Sequence, residues 1–425
     1  MKLKAWAKSD VGNVRECNED SLFVDPAQGV FALSDGVGGR ERGEVASGIV
    51  TNSLGGAAAD LVQLANESDP LDDPAHRERV LEGVREQLQN ANKQVFEQSR
   101  AAADSSNMAA TAEVLLLSRG SAYVGHVGDS RIYMIRGGRI FRVTEDHTYA
   151  EYMRRHGDES VRELADSKER FSHVLTRSIG SSPHVDVDTL FLDVVVGDQF
   201  LLCSDGLTDY LTGSEILGHA VDYDGQELVD ILVDTAKDRG GKDNISVVVV
   251  EVLDDGSTAE MPSRSMDTIR KVGFLEKIDL FEDLRPLELV KILRVVYERR
   301  YDKGDTVLER GEKGDSLYMI AEGRISLEIQ GQELTQLDAG QHFGELALFG
   351  EQHRSATARC LTDALLLSIP SVEFERLVER NAELGRKLLW NLLRNAAQQI
   401  RRMNEKVVYE FGETLEIPSP FENGD

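Results

Sequence analysis

The sequence predicts two domains in tandem, an α+β domain followed by a roll of short strands with flanking helices, on three observations. First, 425 residues with 41% hydrophobic content exceed what one core usually holds and suffice for two. Second, residues 1–253 alternate short β-rich runs ending in Gly/Asp turns with two helix-like segments, near 43–63 and 77–104. Third, a polar stretch, DDGSTAEMPSRS, interrupts the pattern before it restarts with a different periodicity. The expected division is a first domain over 1–253, a linker over 254–270, a second domain over 271–408 and an acidic tail over 409–425.

The last strand expected in the first domain is Ile245 to Leu253, ISVVVVEVL. In the second domain, Leu289, Val290, Leu293 and Val296 recur at three- and four-residue spacing, which predicts one helix between Leu287 and Tyr297. Short strands follow to Ile369, punctuated by glycines at 304, 311, 314, 323, 331, 340, 344 and 350. From Ser371 to about Val408 the pattern is helical again, with Phe374, Leu377, Val378, Leu384, Leu388, Leu392, Ala396, Ile400 and Met403 on or near one face.

Charge narrows the function. With 75 acidic against 48 basic residues the net charge is -27, which repels phosphate backbones and anionic lipid. Nucleic-acid and membrane-surface binding are therefore not expected. Cys17, Cys203 and Cys360 are far apart and without CxxC spacing, so neither a disulfide framework nor a thiolate metal site is expected. The opening MKLKAWAKSD turns polar before an apolar segment develops, and no run approaches the roughly 20 apolar residues of a spanning helix. The expected location is the cytoplasm.

Three aspartates sit beside apolar, strand-like runs: Asp35 after FALS, Asp205 after FLLCS, and Asp243 just before ISVVVVEV. Converging sheet ends would make them an oxygen-rich cluster suited to Mg²⁺ or Mn²⁺, not zinc, because no His/Cys set accompanies them. Taken singly, each is also compatible with an ordinary Asp-Gly turn.

The surrounding blocks decide between the two readings. In chain order they are GNVRECNED (12–20), SDGVGG (34–39), MAATAEVLLL (108–117), GHVGDSRIY (125–133), TEDH (144–147), HVLTRSIG (173–180), CSDGLTD (203–209) and KDNISVVVV (242–250). Over roughly residues 3 to 253 this order and spacing resembles the metal-dependent, type 2C serine/threonine protein phosphatases. The resemblance implies an α-β-β-α sandwich. It implies that Asp35 bridges two metals, that the Gly36 carbonyl serves one, and that Asp205 and Asp243 hold the other. Asp129, together with Asp205, resembles the ligands of a third, weaker ion. Arg15 takes the place of the phosphate anchor, where a planar guanidinium suits bidentate binding. Glu19 and Asp20 resemble outer-sphere acids. Two such ions would activate a water for in-line attack on phosphorus, so the reaction needs no phosphoenzyme.

Two departures stand out. Some family members have a histidine where this chain has Val37, and Val37 cannot protonate a leaving group; that task is expected of a water at the third ion. MAAT at 108–111 replaces the more usual MGTT, a change expected to touch packing more than chemistry. His126 and His147 are read as structural rather than as catalytic bases. Residues 148–182 resemble the family's flap beside the active site.

The second constellation is FGELALFGEQHRSATA at 343–358, which resembles the phosphate-binding cassette of cyclic-nucleotide-binding domains over about residues 272 to 400. The resemblance implies a β-roll (jelly-roll) domain. It implies that Gly344, Glu345 and Leu346 frame the ligand, with Glu345 on the ribose hydroxyl and Arg354, nine residues on, on the cyclic phosphate. Ser355 occupies the position that helps to separate cAMP from cGMP, and serine permits either. His353 replaces a usual proline.

The expected function is therefore a serine/threonine protein phosphatase using two Mg²⁺ or Mn²⁺ ions and a third weaker one. Its expected partners are a phosphorylated protein, cAMP or cGMP as effector, and a second copy through the C-terminal helix. Two alternatives stay open: a non-catalytic nucleotide sensor that only binds phosphoproteins, and a phosphatase whose second domain only docks partners.

Overall fold

The computed structural model describes residues 1–37, 42–68, 73–101, 108–156, 174–254, 268–282, 284, 286–293, 295–349, 353–380 and 382–411. Gly38 and Gly39 of SDGVGG, flap residues 157–173, linker residues 255–267, cassette residues 350–352 and the tail from 412 lie outside this set. The chain divides into two compact units, Met1–Met261 and Pro262–Asp425.

The first unit holds β1 (Lys2–Asp10), β2 (Asp20–Asp25), β3 (Val30–Val37), β4 (Ala109–Ala110), β5 (Ala112–Ser118), β6 (Ser121–Val127), β7 (Arg131–Arg136), β8 (Arg139–Arg142), β9 (Asp188–Asp193), β10 (Gln199–Cys203) and β11 (Ile245–Leu253). Its helices are α1 (Gly43–Ala65), α2 (Pro74–Ala101), α3 (Tyr149–His156), α4 (Asp205–Thr208), α5 (Gly213–Asp222) and α6 (Gly225–Asp238). The strands form two antiparallel sheets, β1-β11-β10-β7-β8 and β2-β3-β5-β6-β9, with β4 paired to β3.

Side chains alternate across a strand, and the packing follows that alternation. On β3, Val30 and Ala32 pack with Val50 and Leu54 of α1 and Val84 and Leu88 of α2. Phe31 and Leu33, equally buried, face the opposite way. On β10 and β11, Leu201, Cys203, Val247 and Val249 meet Leu228 and Leu232 of α6, while Phe200, Leu202, Val248 and Val250 are buried on the other face. The sheets meet through β1, β2, β3, β10 and β11, so each has helices on one face and the other sheet on its second. This is the α-β-β-α sandwich expected, and burial on both faces explains why ISVVVVEVL carries no polar alternation. Each fully buried Phe, Leu or Val contributes roughly 1.5–3 kcal/mol of transfer free energy, which fixes the strand ends that carry the polar site.

The second unit begins with α7 (Thr268–Leu275), a 3₁₀ turn (Asp279–Phe281) and α8 (Pro286–Leu293). Among the described residues, its strands form two four-stranded sheets, β12 (Tyr297–Tyr301), β19 (Ala364–Pro370), β14 (Ser316–Glu322) and β17 (His342–Phe343), and β13 (Thr306–Leu308), β18 (Thr357–Cys360), β15 (Arg324–Ile329) and β16 (Gln332–Asp338). Leu308, Tyr318, Ile320, Ile325, Phe343 and Leu366 fill the space between them. Two helices close the unit, α9 (Ser371–Arg380) and α10 (Ala382–Phe411).

Two helix boundaries differ from the sequence reading. The helix expected between Leu287 and Tyr297 ends at Leu293, and Tyr297 already belongs to β12, paired with Ser368. The C-terminal helical region is two helices. Leu384, Leu388 and Leu392 are buried as the stripe requires, whereas Ala396 is exposed. The surface covering the stripe reaches Asn391, whose side-chain amide donates to the Leu280 and Glu282 carbonyls at 3.0 and 2.8 Å. Among the described residues no helix is long and apolar enough to cross a membrane. Cys17 is an exposed free thiol, and Cys203 and Cys360 are buried free thiols.

Candidate active site

A cavity of about 370 Å³ opens in the first unit, lined by Arg15, Glu19, Asp35, Gly36, Val37, Asp129, Leu175, Asp205, Asp209, Lys242 and Asp243. Local structure delivers each carboxylate. Asp35 lies near the end of β3, opposite Asp20 at the start of β2, and directly opposed residues hold their Cβ atoms about 4.5–5.5 Å apart on one face. Asp205 opens α4 immediately after β10, Asp243 stands two residues before β11, and Asp129 follows β6.

Buried hydrogen bonds set these ends against one another. The Thr111 hydroxyl accepts from the Asp35 amide at 2.9 Å and meets the Ser130 hydroxyl at 2.8 Å, tying β3 to the loop that carries Asp129. Asn244 accepts from the Glu19 amide at 2.8 Å and donates to the Val11 and Cys17 carbonyls, both at 3.0 Å, so the loop bearing Arg15 and Glu19 is pinned to the head of β11. The Ser204 hydroxyl donates to Asp20 at 2.9 Å and accepts from the Ser246 amide at 2.9 Å.

The electrostatics describe a site that wants cations. Burial, then the neighbouring charges of Asp20, Asp205, Asp129 and Asp243, holds the Asp35 carboxyl well above the ordinary carboxylate range. Burial pushes Asp20 up to about 7, against hydrogen bonds from Ser246 and Ser204 and with help from Asp205 and Asp243. Six carboxylates line the cavity against two cationic side chains, Arg15 and Lys242. Arg15 reaches Asp243 at 2.6 Å and Glu19 at 3.8 Å, the inward-pointing arrangement of a guanidinium among anions.

These residues fit divalent ions. The donor set is carboxylate and carbonyl oxygen throughout, which selects hard cations. Two buried oxygens, Glu19 Oε1 and Asp20 Oδ1, have no hydrogen-bond partner among the described residues; a buried acceptor left so costs free energy unless water or an ion serves it. Among the described residues no three His, Cys, Asp or Glu side chains stand close enough about one point to hold a metal ion.

The structure thus brings Arg15, Glu19, Asp35, Gly36, Asp129, Asp205 and Asp243 to one cavity and sets Asp20 behind it. Leu175, Asp209 and Lys242 join the lining without having been singled out; all three stood inside quoted blocks, but nothing in their residue types marked them as part of a site. His126 and His147 are buried and are not among the residues lining the cavity.

In the second unit, Gly344 has φ +80°, and a Cβ there would come within 2.7 Å of Arg354 Nη1. The buried Arg354 guanidinium donates to the Gly344 carbonyl at 3.3 Å and lies 3.4 Å from Asp315. Glu345 heads a 3₁₀ turn, Glu345–Phe349, on which Leu346 is half exposed, and Ser355 is exposed. Gly344, Glu345, Leu346 and Arg354 thus surround one turn.

Comparison with known families agrees with both units. The protein phosphatase 2C model matches residues 13–240, more than half of the chain, and the chain belongs to that family. The cyclic nucleotide-binding domain model matches residues 298–381. The protein is a metal-dependent serine/threonine phosphatase joined to a cyclic nucleotide-binding domain. It is 28% identical over 253 residues to the serine/threonine phosphatase stp of Listeria welshimeri, covering 59% of this chain and 96% of that one. It is 30% identical over 252 residues to protein phosphatase PhpP of Streptococcus pneumoniae, covering 58% and 96%. Among solved structures it resembles the catalytic domain of the phosphatase PstP in complex with two manganese ions, at a TM-score of 0.50 and 28% identity, covering 59% and 99%.

Proposed function

We propose that this chain removes phosphate from phosphoserine and phosphothreonine in proteins at the carboxylate cavity, and that cAMP or cGMP held by Gly344, Glu345, Leu346, Arg354 and Ser355 modulates the reaction. The observation that carries the reading is the convergence of Asp35, Asp129, Asp205 and Asp243, far apart in sequence, on one cavity with Arg15.

Asp35, the Gly36 carbonyl, Asp205 and Asp243 would hold two Mg²⁺ or Mn²⁺ ions, and Asp129 with Asp205 a third. When bound, such ions supply an activated water and neutralise charge on the phosphoryl group. Arg15, oriented by Asp243, presents its remaining N–H groups to the phosphoryl oxygens, a bidentate geometry that lysine lacks. Glu19 and Asp20 hold water through their buried, unpartnered oxygens. Without bound ions, burial raises the Asp20 carboxyl above the ordinary carboxylate range. Val37 lines the cavity and has no proton to give, so protonation of the leaving alkoxide would fall to water at the third ion that Asp129 would hold. In the second unit Arg354 would exchange its contact with Asp315 for the cyclic phosphate, and Glu345 would accept from the ribose. Exposed Leu389, Trp390 and Leu393 on α10 support pairing with a second copy, which light scattering would report as a doubled mass.

Asp205→Asn tests the site. The rate of phosphate release should fall on the order of 100-fold, at least as far as the loss of an outer-shell metal partner takes it; an unchanged rate would remove Asp205 from the site. Isothermal titration with cAMP and cGMP tests the second unit, where no heat from either would leave it a docking module.

A further inference from the structure

We propose that His147 is a positioning residue that fixes the Gly128–Asp129 loop against the Val174–Arg177 segment, and so sets where Asp129 stands in the cavity. The proposal rests on the reading of Asp129 as an ion ligand.

His147 makes a bracket with both its backbone and its ring. Its amide donates to the Gly128 carbonyl at 2.7 Å, and its Nδ1 accepts from the Gly128 amide at 3.1 Å. Both polar groups of Gly128, the residue before Asp129, are thus held by one side chain and its own backbone. On the other side, the Thr176 amide donates to the His147 carbonyl at 2.7 Å and the Tyr149 amide to the Val174 carbonyl at 2.7 Å. A bridge between Thr148 and Leu175 lies between them. Leu175 and Asp129 both line the cavity, so the two walls that His147 joins are walls of the site.

The ring is itself locked. Because Nδ1 accepts from an amide it carries no proton, and Nε2–H donates to Asp188 at 3.3 Å. Arg177 stands 3.1 Å from Nε2 and donates to the same Asp188 at 2.8 Å. Behind His147 the ring of His126 packs at 4.4 Å between centroids, tilted by 37°. His126 is held in turn by the wholly buried Glu113 at 2.7 Å and the Glu145 carbonyl at 2.6 Å. Gly128 leaves no slack on its far side: its φ is +121°, and a Cβ there would come within 2.6 Å of Thr111. The Gly128 amide and Asp188 hold the two ring nitrogens at one tautomer, and Arg177, through Asp188, fixes the second of them. Second-layer partners that orient a ligand typically cost 10–100-fold in metal affinity when removed.

The experiment compares His147→Leu, which keeps bulk and loses the acceptor, with His147→Asn, whose amide oxygen can replace Nδ1. Mn²⁺ titration calorimetry on the full chain reads the lowest-affinity ion, with Asp129→Asn as reference, and hydrogen exchange reads the Gly128 amide. The expected result is that His147→Leu weakens that ion about tenfold and speeds Gly128 exchange, and that His147→Asn recovers most of both. If Asp129→Asn alters the isotherm and His147→Leu does not, the proposal is overturned. If Asp129→Asn leaves it unaltered, the assignment of Asp129 fails; the bracket then stands or falls on Gly128 exchange, and exchange unchanged in His147→Leu overturns it.

Discussion

Replacing Thr111 by valine removes one oxygen from a side chain of nearly the same shape, at a wholly buried position. That oxygen accepts from the Asp35 amide at 2.9 Å and pairs with the Ser130 hydroxyl at 2.8 Å. Leaving a buried amide unsatisfied costs about 1–3 kcal/mol, and loss of the hydroxyl pair about 1 more, so Thr111→Val should destabilise the phosphatase unit by about 2–4 kcal/mol. In a domain of this size that lowers Tm by about 5–15 °C. Thr111→Ser keeps the oxygen and loses one methyl, about 1 kcal/mol. Urea unfolding of chelator-treated protein can be followed by the fluorescence of Trp6, which packs in the first unit, because the second tryptophan, Trp390, is already 65% exposed. The midpoint should fall in the order wild type, Ser, Val, with an unchanged slope. A valine variant as stable as the serine one would refute the claim that this hydroxyl ties β3 to the Asp129 loop.

Further outcomes follow from the same geometry. Asp20, raised to about 7 when folded from 3.8, contributes stability that is present below about pH 4 and lost as pH rises through about 7, a loss on the order of 4 kcal/mol. The Tm of chelator-treated protein should therefore decline over that window, and Asp20→Asn should flatten the decline; a slope unaffected by Asp20→Asn would contradict the assignment. Gly344→Ala forces a left-handed backbone on alanine and drives a Cβ to 2.7 Å from Arg354 Nη1. It should cost about 1–2 kcal/mol in the second unit and at least tenfold in nucleotide affinity if the guanidinium shifts, as measured by calorimetry against cAMP and cGMP. Arg15→Lys keeps the charge but not the fork that Asp243 orients; KM for a phosphothreonine peptide should rise about tenfold, about 1.4 kcal/mol of lost binding, and an unchanged KM would remove Arg15 as phosphate anchor.

Much of the site was legible because its carboxylates sit where strands end. Asp35, Asp205 and Asp243 each adjoin an apolar run, and strand ends of one sandwich converge. The scaffolding was less legible. Nothing in the sequence shows that Thr111 and Asn244 spend their polar atoms on loops far away in the chain, because hydrogen bonds of that span depend on tertiary register. Buried Glu113 reads as a break in the strand AEVLLLS until the structure pairs it with His126. Lys242 and Asp209 resemble any surface charge until the cavity is closed around them. In the second unit the motif around Glu345 and Arg354 pointed to the domain family that matches residues 298–381. The helix boundaries were misplaced because a 3.6-residue stripe running on past Leu293 does not reveal that Tyr297 pairs with Ser368 in a sheet.

The most direct test is phosphate release from a phosphothreonine peptide by the full chain in Mn²⁺, repeated with chelator and with cAMP and then cGMP. Release that chelator abolishes and one nucleotide alters is the predicted result, joining the carboxylate cavity to the Arg354 turn. No release in Mn²⁺ or Mg²⁺ would contradict the account of the cavity, and release indifferent to both nucleotides would contradict the coupling.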